Sequence, residues 1–285
     1  MVTLQEKAYA KLNLTLDVLG KRQDGYHDLK SVMQTVSLFD NIEIDVDTGK
    51  PWTIRCNVEG IPCDERNLVW KAARAYFDVI GKEPDGIEIR IEKRIPSGAG
   101  MGGGSADAAA VLRILNRYYN SPLSLSELTD VGAKLGSDVP FCVVGGTVMC
   151  EGRGEILRKL PDMPDCIFLG CKPEFSISTP ALYKELDETT VSCHPDNDAM
   201  EHAICSGDLP GIAKQISNVF DPVVSAQRPE IDHIKGICQF YGAMAVQMTG
   251  SGSVVFAVMP DRSSAQKAEA ELKNYYSQVF IARPV

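Results

Sequence analysis

Residues 95–110 read IPSGAGMGGGSADAAA, and five of the seven residues from 98 to 104 are glycine. Glycine loses more conformational freedom on folding than other residues, so a cluster of glycines indicates positive φ angles or a group packed directly against the main chain. A strand-like segment, IEIRIEKRI at 87–95, precedes the cluster, and apolar residues at helical spacing follow it from Ser105 to Tyr119. A glycine loop between a strand and the N-terminus of a helix is typical of a phosphate site.

Several kinds of phosphate loop share this order of elements. Residues 98–103 satisfy the dinucleotide-binding pattern G-x-G-x-x-G, but that fold continues into a second strand, and this chain continues into a capped helix at SLSE, 124–127. A Walker A loop requires a lysine where this chain has Gly104, and the sequence contains neither the HRD nor the DFG motif of protein kinases. We favour a loop whose backbone N–H groups, from Ala99 to Ser105, bind phosphate; the alternative is a glycine loop that serves only close packing.

Composition narrows the function to small-molecule chemistry. The chain has 285 residues, of which 44% are hydrophobic and 24% charged, as expected for a soluble protein of two domains. A net charge of -9 argues against nucleic-acid binding, and no apolar run is long enough to span a membrane. The N-terminus lacks the pattern of a secretory signal, and the nine cysteines contain no C-x-x-C pair. We therefore expect a cytoplasmic protein with reduced thiols and without a zinc site.

The remaining patterns predict an α+β protein. Alternation in 36–47 and again in WTIRCNV, 52–58, predicts a hairpin, and NLVWKAARAYFDVI, 67–80, predicts a helix that stops at Gly81. The SLSE helix is expected to end at Gly136, and FCVVGGTVMC, 141–150, is expected to be a strand. Further predictions are a turn at EGRGE, 151–155, a helix start with a hydroxyl cap at STP, 178–180, and a hairpin or close backbone approach at 248–258. The domain boundary is placed between residues 158 and 159.

Three motifs in order carry a resemblance to a known family. PSGAGMGGGSADAA, 96–109, resembles the second signature motif of the GHMP small-molecule kinases. AKLNLTLDVLGKRQDGYHDLKSVMQTVSLFD, beginning at Ala10, and MTGSGSVVFAV, ending at Val258, resemble the first and third motifs of those members whose acceptor carries a cytidine diphosphate. Met101 stands where leucine is usual, and Ala106 where a second serine is common, so one hydroxyl contact is lost while Ser105 still supplies another.

The resemblance implies a fold and a reaction. It implies an N-terminal domain, 1–158, like domain 2 of ribosomal protein S5, with the ATP loop and the catalytic residues. It also implies a ferredoxin-like C-terminal domain, 159–285, with a substrate-side helix and the third glycine motif. The implied reaction moves the γ-phosphoryl group of ATP to the 2-hydroxyl of 4-diphosphocytidyl-2-C-methyl-D-erythritol, in the non-mevalonate route to isoprenoids. Mg²⁺ is expected with ATP, although no metal-ligand spacing is visible.

Residue roles also follow from the resemblance. Asp138 is expected to take the proton of the acceptor hydroxyl, and Lys11 to hold that carboxylate and stabilise developing negative charge. The predicted ATP-binding residues are Asn67, Leu68, Lys93, Pro96, Gly98, Ala99, Gly100, Met101, Gly102, Gly103, Gly104 and Ser105. The predicted substrate-binding residues are Asn13, Tyr26, His27, Asp138, Thr179 and Tyr183, with Tyr26 and Tyr183 as stacking faces for the cytosine and His27 reading its edge.

Without the resemblance, these residues have ordinary structural explanations. Asp138 suits a loop carboxylate that caps a helix, Tyr26 and His27 suit surface packing, and Thr179 with Tyr183 suits a helix cap and a core aromatic. Two functional alternatives stay open: a GHMP kinase for homoserine or a mevalonate-type acceptor, and a nucleotide-binding module without turnover. The expected assembly is a monomer or a weak homodimer.

Overall fold

The structure is a computed structural model that describes residues 3–189, 191 and 193–285. The strands in these residues are β1 (Thr3–Asn13), β2 (Thr15–Lys21), β3 (His27–Val46), β4 (Thr53–Cys56), β5 (Ile87–Glu92), β6 (Thr147–Gly152), β7 (Ile156–Lys159), β8 (Ile167–Lys172), β9 (Ser217–Asn218), β10 (Ala245–Met248), β11 (Val255–Met259) and β12 (Gln278–Ala282). The helices are α1 (Leu68–Ile80), α2 (Gly103–Tyr118), α3 (Leu125–Ala133), α4 (Val139–Val144), α5 (Thr179–Asp187), α6 (Asn197–Cys205), α7 (Leu209–Gln215), α8 (Asp221–Ser225), α9 (Pro229–Phe240) and α10 (Arg262–Leu272).

The chain forms two compact units that are discontinuous in sequence. The first contains the chain up to Ala10 together with Leu38–Ser97 and Gly102–Gly145, and the second contains Lys11–Ser37, Gly98–Met101 and Gly146–Val285. The predicted boundary between residues 158 and 159 falls within β7, before its last residue, and stays a prediction. Among the described residues, no helix has both the length and the apolar character needed to cross a membrane.

The first unit combines a sheet with four helices. The second half of β3 pairs antiparallel with β5, from Asn41 opposite Glu92 to Val46 opposite Ile87. Alternate residues of both strands are buried, as the period of two requires for a sheet with one covered face. Helix α2 packs against α1, α3 and α4. Because its N-terminus lies at the glycines, this packing fixes where the loop ends.

The predicted hairpin between β3 and β4 is wrong. Strand β4 pairs parallel with β5, and β5 lies between β4 and β3. Helix α1 connects β4 to β5, as a crossover between parallel strands requires. An alternating apolar pattern identifies a half-buried strand but does not identify the strand it pairs with. Strand β5, in which Ile87, Ile89 and Ile91 are buried, pairs with β3, and the four-residue β4 lies at the edge of the sheet.

The predicted strand over 141–150 is also partly wrong. Residues up to Val144 belong to helix α4, and the strand begins only at Thr147. Pro140 stands in the first turn of α4, where its fixed φ suits a helix, and Gly145 and Gly146 take φ angles of 68° and 81° that end it. A short apolar run without periodicity does not distinguish a buried helix from a buried strand.

Helix boundaries with recognisable caps match the sequence well. The Asn67 side chain caps α1 by accepting from the Val69 N–H, and Gly81 ends the helix at a φ of 63°. Ser124 and Glu127 form the predicted capping box of α3, which ends at Ala133 rather than at Gly136. Helix α5 begins at the predicted place, but the Ser178 hydroxyl makes no capping bond.

The second unit contains the first half of β3, which pairs with β2 and β6, and a separate four-stranded sheet. Strands β6 and β7 pair antiparallel on either side of the turn predicted at EGRGE. The separate sheet is antiparallel in the order β10-β11-β8-β12, with helices between β8 and β10 and between β11 and β12. This order is that of a ferredoxin-like domain, as predicted. Its core includes Phe220, Ile231, Ile234, Val255 and Leu272.

Candidate active site

The glycine segment begins within the second unit, where residues 98–101 lie against the β10–β11 turn. Gly100 has a φ of 74°, and a Cβ on it would lie 2.2 Å from the carbonyl oxygen of Thr249. The Ala99 carbonyl accepts from the Val254 N–H at 3.2 Å, and the Met101 carbonyl accepts from the Lys11 N–H at 3.0 Å. Close approach of the Thr249 backbone therefore accounts for the glycine at position 100. The third motif, 248–258, holds residues 98–101 of the second motif in place.

The segment continues in the first unit as the start of α2. Gly102 has a φ of 68°, and the helix begins at Gly103. The first turn thus carries Gly103, Gly104 and Ser105, whose backbone N–H groups have no acceptor further back in the helix. With two glycines among these three residues, the positive end of the helix carries little side-chain bulk. This arrangement suits an anionic ligand.

The Lys93 side chain lies next to Gly103 in this turn. Its ammonium group donates to Asp40 Oδ2 at 2.5 Å and to Asp107 Oδ2 at 2.8 Å, and all three side chains are almost fully buried. Burial raises the pKa of Asp107 to about 7, with the nearby Asp40 adding to the shift and Lys93 opposing it. Burial alone would lower the pKa of Lys93, but the two carboxylates outweigh it and the pKa is raised. Lys93 therefore remains charged.

The other predicted ATP-binding residues of the first unit surround the start of α1 and the end of β5. Besides capping α1, Asn67 donates from its amide to the Pro62 carbonyl at 2.6 Å. Leu68 lies beside the first turn of α2, with its Cδ1 3.6 Å from the position of a Cβ on Gly104. Pro96 is buried between Ile95 and the glycines. Their roles toward ATP stay predictions.

Lys11 and Asn13 lie on the same face of β1, as the period of two predicts. Lys11 Nζ donates to Asn13 Oδ1 at 2.5 Å, and Asn13 Nδ2 donates to Ser31 Oγ at 2.8 Å. The Asn13 backbone N–H donates to Thr249 Oγ1 at 2.9 Å. Both side chains are at least 97% buried, with 3% and 1% of their surface exposed. Asn13 thus holds the Lys11 ammonium group in a fixed orientation.

Asp138 immediately precedes α4 in the first unit and is half-buried. Its carboxylate makes no capping bond to the helix it precedes, so the explanation of Asp138 as a helix cap is wrong. Lys11 belongs to the second unit and Asp138 to the first. The predicted pairing of the two stays a prediction.

Two of the predicted substrate-binding residues, His27 and Tyr183, are in contact in the second unit. The rings of His27 and Tyr183 stack with their centroids 4.7 Å apart, and the edge of Tyr183 meets Phe220 at 4.9 Å. His27 Nε2 lies 2.7 Å from Asp187 Oδ1, and Lys21 binds the other oxygen of the same carboxylate at 2.6 Å. Hydrogen bonds from Lys21 and then His27 lower the pKa of Asp187, which stays ionised.

Tyr26 and Thr179 lie at more exposed positions. Tyr26 has 55% of its surface exposed, and the Arg153 guanidinium lies 5.0 Å from the centroid of its ring. The Thr179 hydroxyl lies 2.8 Å from the Ser251 hydroxyl, in the third glycine motif. The structure thus connects Thr179 to the turn that contacts Gly100.

The sequence did not predict several residues that contribute to these candidate sites. They are Asp40, Asp107, Asp187, Asn218 and Thr249. Asp107 had a visible signal, because a carboxylate among the alanines of an apolar helix indicates a buried partner. The others had none, because their partners lie far away in sequence. Among the described residues, no three carboxylate, histidine or cysteine side chains are grouped in a way that could hold a metal ion.

Comparison with known proteins assigns the chain to a class. Residues 67–146 match the GHMP kinases N terminal domain, and residues 200–278 match the GHMP kinases C terminal domain. The homoserine kinase from Cytophaga hutchinsonii shares the fold, with a TM-score of 0.79 at 20% identity over 98% of this chain and 94% of that one. The fold and the glycine loop are therefore those of a GHMP kinase.

More similar relatives define the family within that class. The 4-diphosphocytidyl-2-C-methyl-D-erythritol kinase of Caldicellulosiruptor saccharolyticus is 43% identical over 96% of this chain and 94% of its own length. That of Clostridium kluyveri is 42% identical over 98% and 99%. A crystal structure of 4-(cytidine 5'-diphospho)-2C-methyl-D-erythritol kinase has a TM-score of 0.82 at 28% identity and covers 99% of each chain. The chain belongs to the 4-diphosphocytidyl-2-C-methyl-D-erythritol kinase family.

Proposed function

We propose that this chain transfers the γ-phosphoryl group of ATP to the 2-hydroxyl of 4-diphosphocytidyl-2-C-methyl-D-erythritol. The observation that carries the proposal is the start of α2, where the helix begins at Gly103 and no side chain caps its first N–H groups. The names of the relatives supply the acceptor. The bond between the γ-phosphorus and the ADP oxygen breaks, and a bond from phosphorus to the acceptor oxygen forms.

In this proposal the proton of the 2-hydroxyl passes to Asp138. A half-buried carboxylate at the start of α4 is a chemically suitable general base for a hydroxyl proton, and the resemblance of the motifs assigns this role to Asp138. Lys11, held by Asn13 at 2.5 Å, stabilises the negative charge that develops during transfer. Positioning and charge stabilisation account for most of the catalysis of phosphoryl transfer.

The residues at the start of α2 fit ATP with Mg²⁺. The backbone N–H groups of the first turn would donate to phosphate oxygens, and Ser105 supplies a hydroxyl in the same turn. Mg²⁺ in such sites takes one or two protein ligands together with phosphate oxygens and water, so it does not need a cluster of carboxylates. When bound, the ion would neutralise charge on the phosphates. We place Ser105 as its protein ligand.

For the acceptor, Tyr26 and Tyr183 are the proposed stacking faces and His27 the group that reads the cytosine edge. Stacking is tolerant of the base, so His27 supplies the discrimination. Thr179 is the proposed contact to the acceptor's phosphate. We further propose that the protein works in the cytoplasm as a monomer or weak homodimer without nucleic-acid partners, in keeping with its net charge of -9.

The first experiment measures ADP release from Mg-ATP with the cytidine compound, beside methylerythritol 4-phosphate, homoserine and mevalonate. Turnover with the cytidine compound alone supports the proposal. Turnover only with another acceptor would keep the kinase and overturn the substrate, whereas binding of ATP without any turnover would favour a nucleotide-binding module. Asp138→Asn is the matched variant: we expect at least about 100-fold slower turnover with ATP affinity retained. Unchanged turnover would remove Asp138 as the base.

The aromatic site yields a second prediction. Tyr26→Ala removes an exposed stacking face, and base stacking is worth about 1–3 kcal/mol, so KM for the cytidine substrate should rise roughly tenfold or more. KM for ATP should stay within about twofold. Steady-state kinetics with each substrate varied in turn measures both values. An equal loss for ATP and for the acceptor would indicate general destabilisation instead of a stacking role.

A further inference from the structure

The first unit contains a buried group of three charged side chains next to the glycine segment, and one of them, Asp107, lies within the second glycine motif. Lys93 donates to Asp40 at 2.5 Å and to Asp107 at 2.8 Å, and we call the three residues the Lys93 cluster. Only 5% of the Lys93 side chain is exposed, and its ammonium group is bound by carboxyl oxygens on two sides. An ammonium group engaged in this way is poorly placed to bind an ATP phosphate directly.

The cluster joins the two ends of the glycine segment. On the incoming side, Asp40 Oδ1 accepts from the backbone N–H groups of Arg94 at 2.5 Å and Ile95 at 2.8 Å. On the outgoing side, Asp107 lies at the start of the second turn of α2. Lys93 is bound to both carboxylates, so a single ammonium group connects the chain that enters the segment to the helix that leaves it.

Packing at the same place leaves little room for movement. A Cβ on Gly103 would lie 3.1 Å from Ile95 Cγ2 and 3.2 Å from Lys93 Nζ, so the first residue of α2 sits directly on the cluster. Within the described residues, Asp107 Oδ1 is buried without a hydrogen-bond partner. Burial of this carboxyl group disfavours its ionised form, in keeping with the raised pKa of Asp107.

We propose that Asp40, Lys93 and Asp107 are positioning residues for the ATP phosphate site. By fixing both ends of the glycine segment, they hold the N–H groups of Gly103, Gly104 and Ser105 in the orientation that binds phosphate. ATP then binds without ordering the segment, and preorganisation of this kind raises affinity without adding a contact. This inference rests on the proposed ATP-dependent reaction and gives Lys93 an indirect part in it.

Four variants separate positioning from general stability. Asp40→Asn keeps an oxygen for the Arg94 and Ile95 N–H groups but presents an amide to Lys93, which breaks that link. Asp107→Ala removes the other link, while Asp107→Asn retains an oxygen that accepts from Lys93 and so should lose less. The control is Asp45→Asn, on the same strand: Asp45 is buried, binds Arg90 at 2.8 Å and lies away from the glycine segment.

Two measurements are needed, one without ATP. In the ligand-free protein, hydrogen exchange of the Ala106 amide, which donates to the Gly102 carbonyl at 2.8 Å and closes the first turn of α2, should accelerate about tenfold in Asp40→Asn and Asp107→Ala, and not in Asp45→Asn. In kinetics, KM for ATP should rise about tenfold in the first two variants, less in Asp107→Asn, and stay unchanged in the control. KM for the acceptor should change less than twofold in all four.

Failure of the positioning role of the Lys93 cluster can be distinguished from failure of the proposed ATP-dependent reaction. Unchanged amide exchange and unchanged ATP binding in Asp40→Asn and Asp107→Ala would overturn the inference, as would equal effects in Asp45→Asn. If the wild-type protein does not bind ATP, the proposed function fails, while the exchange measurement still decides whether the cluster holds the segment. If Asp107→Ala does not fold, Asp40→Asn decides the matter with the same two measurements.

Discussion

At the scale of single residues, the glycines of the segment 98–104 are required for different physical reasons. Gly100 combines a φ of 74° with a backbone contact that leaves no room for a Cβ. Gly104 lies in the first turn of α2, where a Cβ would meet only Leu68 at 3.6 Å. Steric exclusion therefore accounts for Gly100, whereas access of a ligand to the backbone is the reason we propose for Gly104.

Gly100→Ala should lower the free energy of unfolding by at least about 2 kcal/mol, because it adds both backbone strain and a collision with Thr249. Gly207→Ala is the matched control: Gly207 has a φ of 67° but nothing within 4 Å of a Cβ, so it should cost only roughly 1 kcal/mol. Urea unfolding measures both. Equal losses would mean that the contact with Thr249 contributes nothing.

Asp107 predicts a pH dependence of stability. In the unfolded chain its carboxyl group ionises near its ordinary pKa of about 4, whereas in the folded protein the pKa is about 7. Between these values the folded state holds a proton that the unfolded state has released, so the contribution of Asp107 to stability falls as pH rises. Relative to the wild type, Asp107→Asn should therefore gain up to about 2 kcal/mol between pH 5 and pH 8.

The control for this titration is Asp45→Asn. Hydrogen bonds from Arg90 lower the pKa of Asp45, so its stabilising contribution is already complete above pH 5. The stability difference between this variant and the wild type should stay constant from pH 5 to pH 8. Urea unfolding at four pH values measures both differences, and a flat profile for Asp107→Asn would contradict the raised pKa.

At the scale of elements, one buried amide fixes the turn between β10 and β11. Asn218, on β9, donates to the carbonyl oxygens of Met248 and Gly250, both at 2.8 Å, and accepts from the Phe220 N–H at 3.0 Å. The same turn contacts Gly100 through Thr249. A two-residue strand thus determines the position of the third glycine motif.

Asn218→Ala should lower the free energy of unfolding by about 2–3 kcal/mol, because three buried backbone groups lose their partner. Asn41→Ala, which removes a surface hydrogen bond to Glu92, should change it by less than about 0.5 kcal/mol. Thermal or urea unfolding measures the difference. A loss at Asn218 no greater than that at Asn41 would show that water replaces the amide.

At the scale of the whole molecule, ATP binding should stabilise the fold by linkage. At a concentration of Mg-ATP 100 times its measured Kd, the free energy of unfolding should rise by about 2.7 kcal/mol, and Tm by roughly 5–10 °C. Mg-AMP at the same concentration is the control, because it lacks the phosphates that the start of α2 is proposed to hold. Scanning calorimetry measures both, and equal shifts would contradict a site built around the outer phosphates.

The sequence predicted features that depend on neighbouring residues. The capping box of Ser124 and Glu127, the stop at Gly81 and the strand at 87–92 each follow from local geometry. Predictions were wrong where the structure of a segment depends on residues that are distant in sequence. The alternation around residue 54 did not reveal that β4 pairs with β5, and the apolar run 141–144 did not reveal a helix.

The sequence by itself determined the family, the glycine segment between strand and helix, and the common strand face of Lys11 and Asn13. These follow from residue order, from the period of each element and from motifs in a fixed succession. Only the tertiary structure decided that Thr249 lies against Gly100 and that Asp40 and Asp107 share Lys93. Such contacts join residues 14 to 149 positions apart along the chain, and they form only where packing of the whole unit repays the entropy of bringing them together.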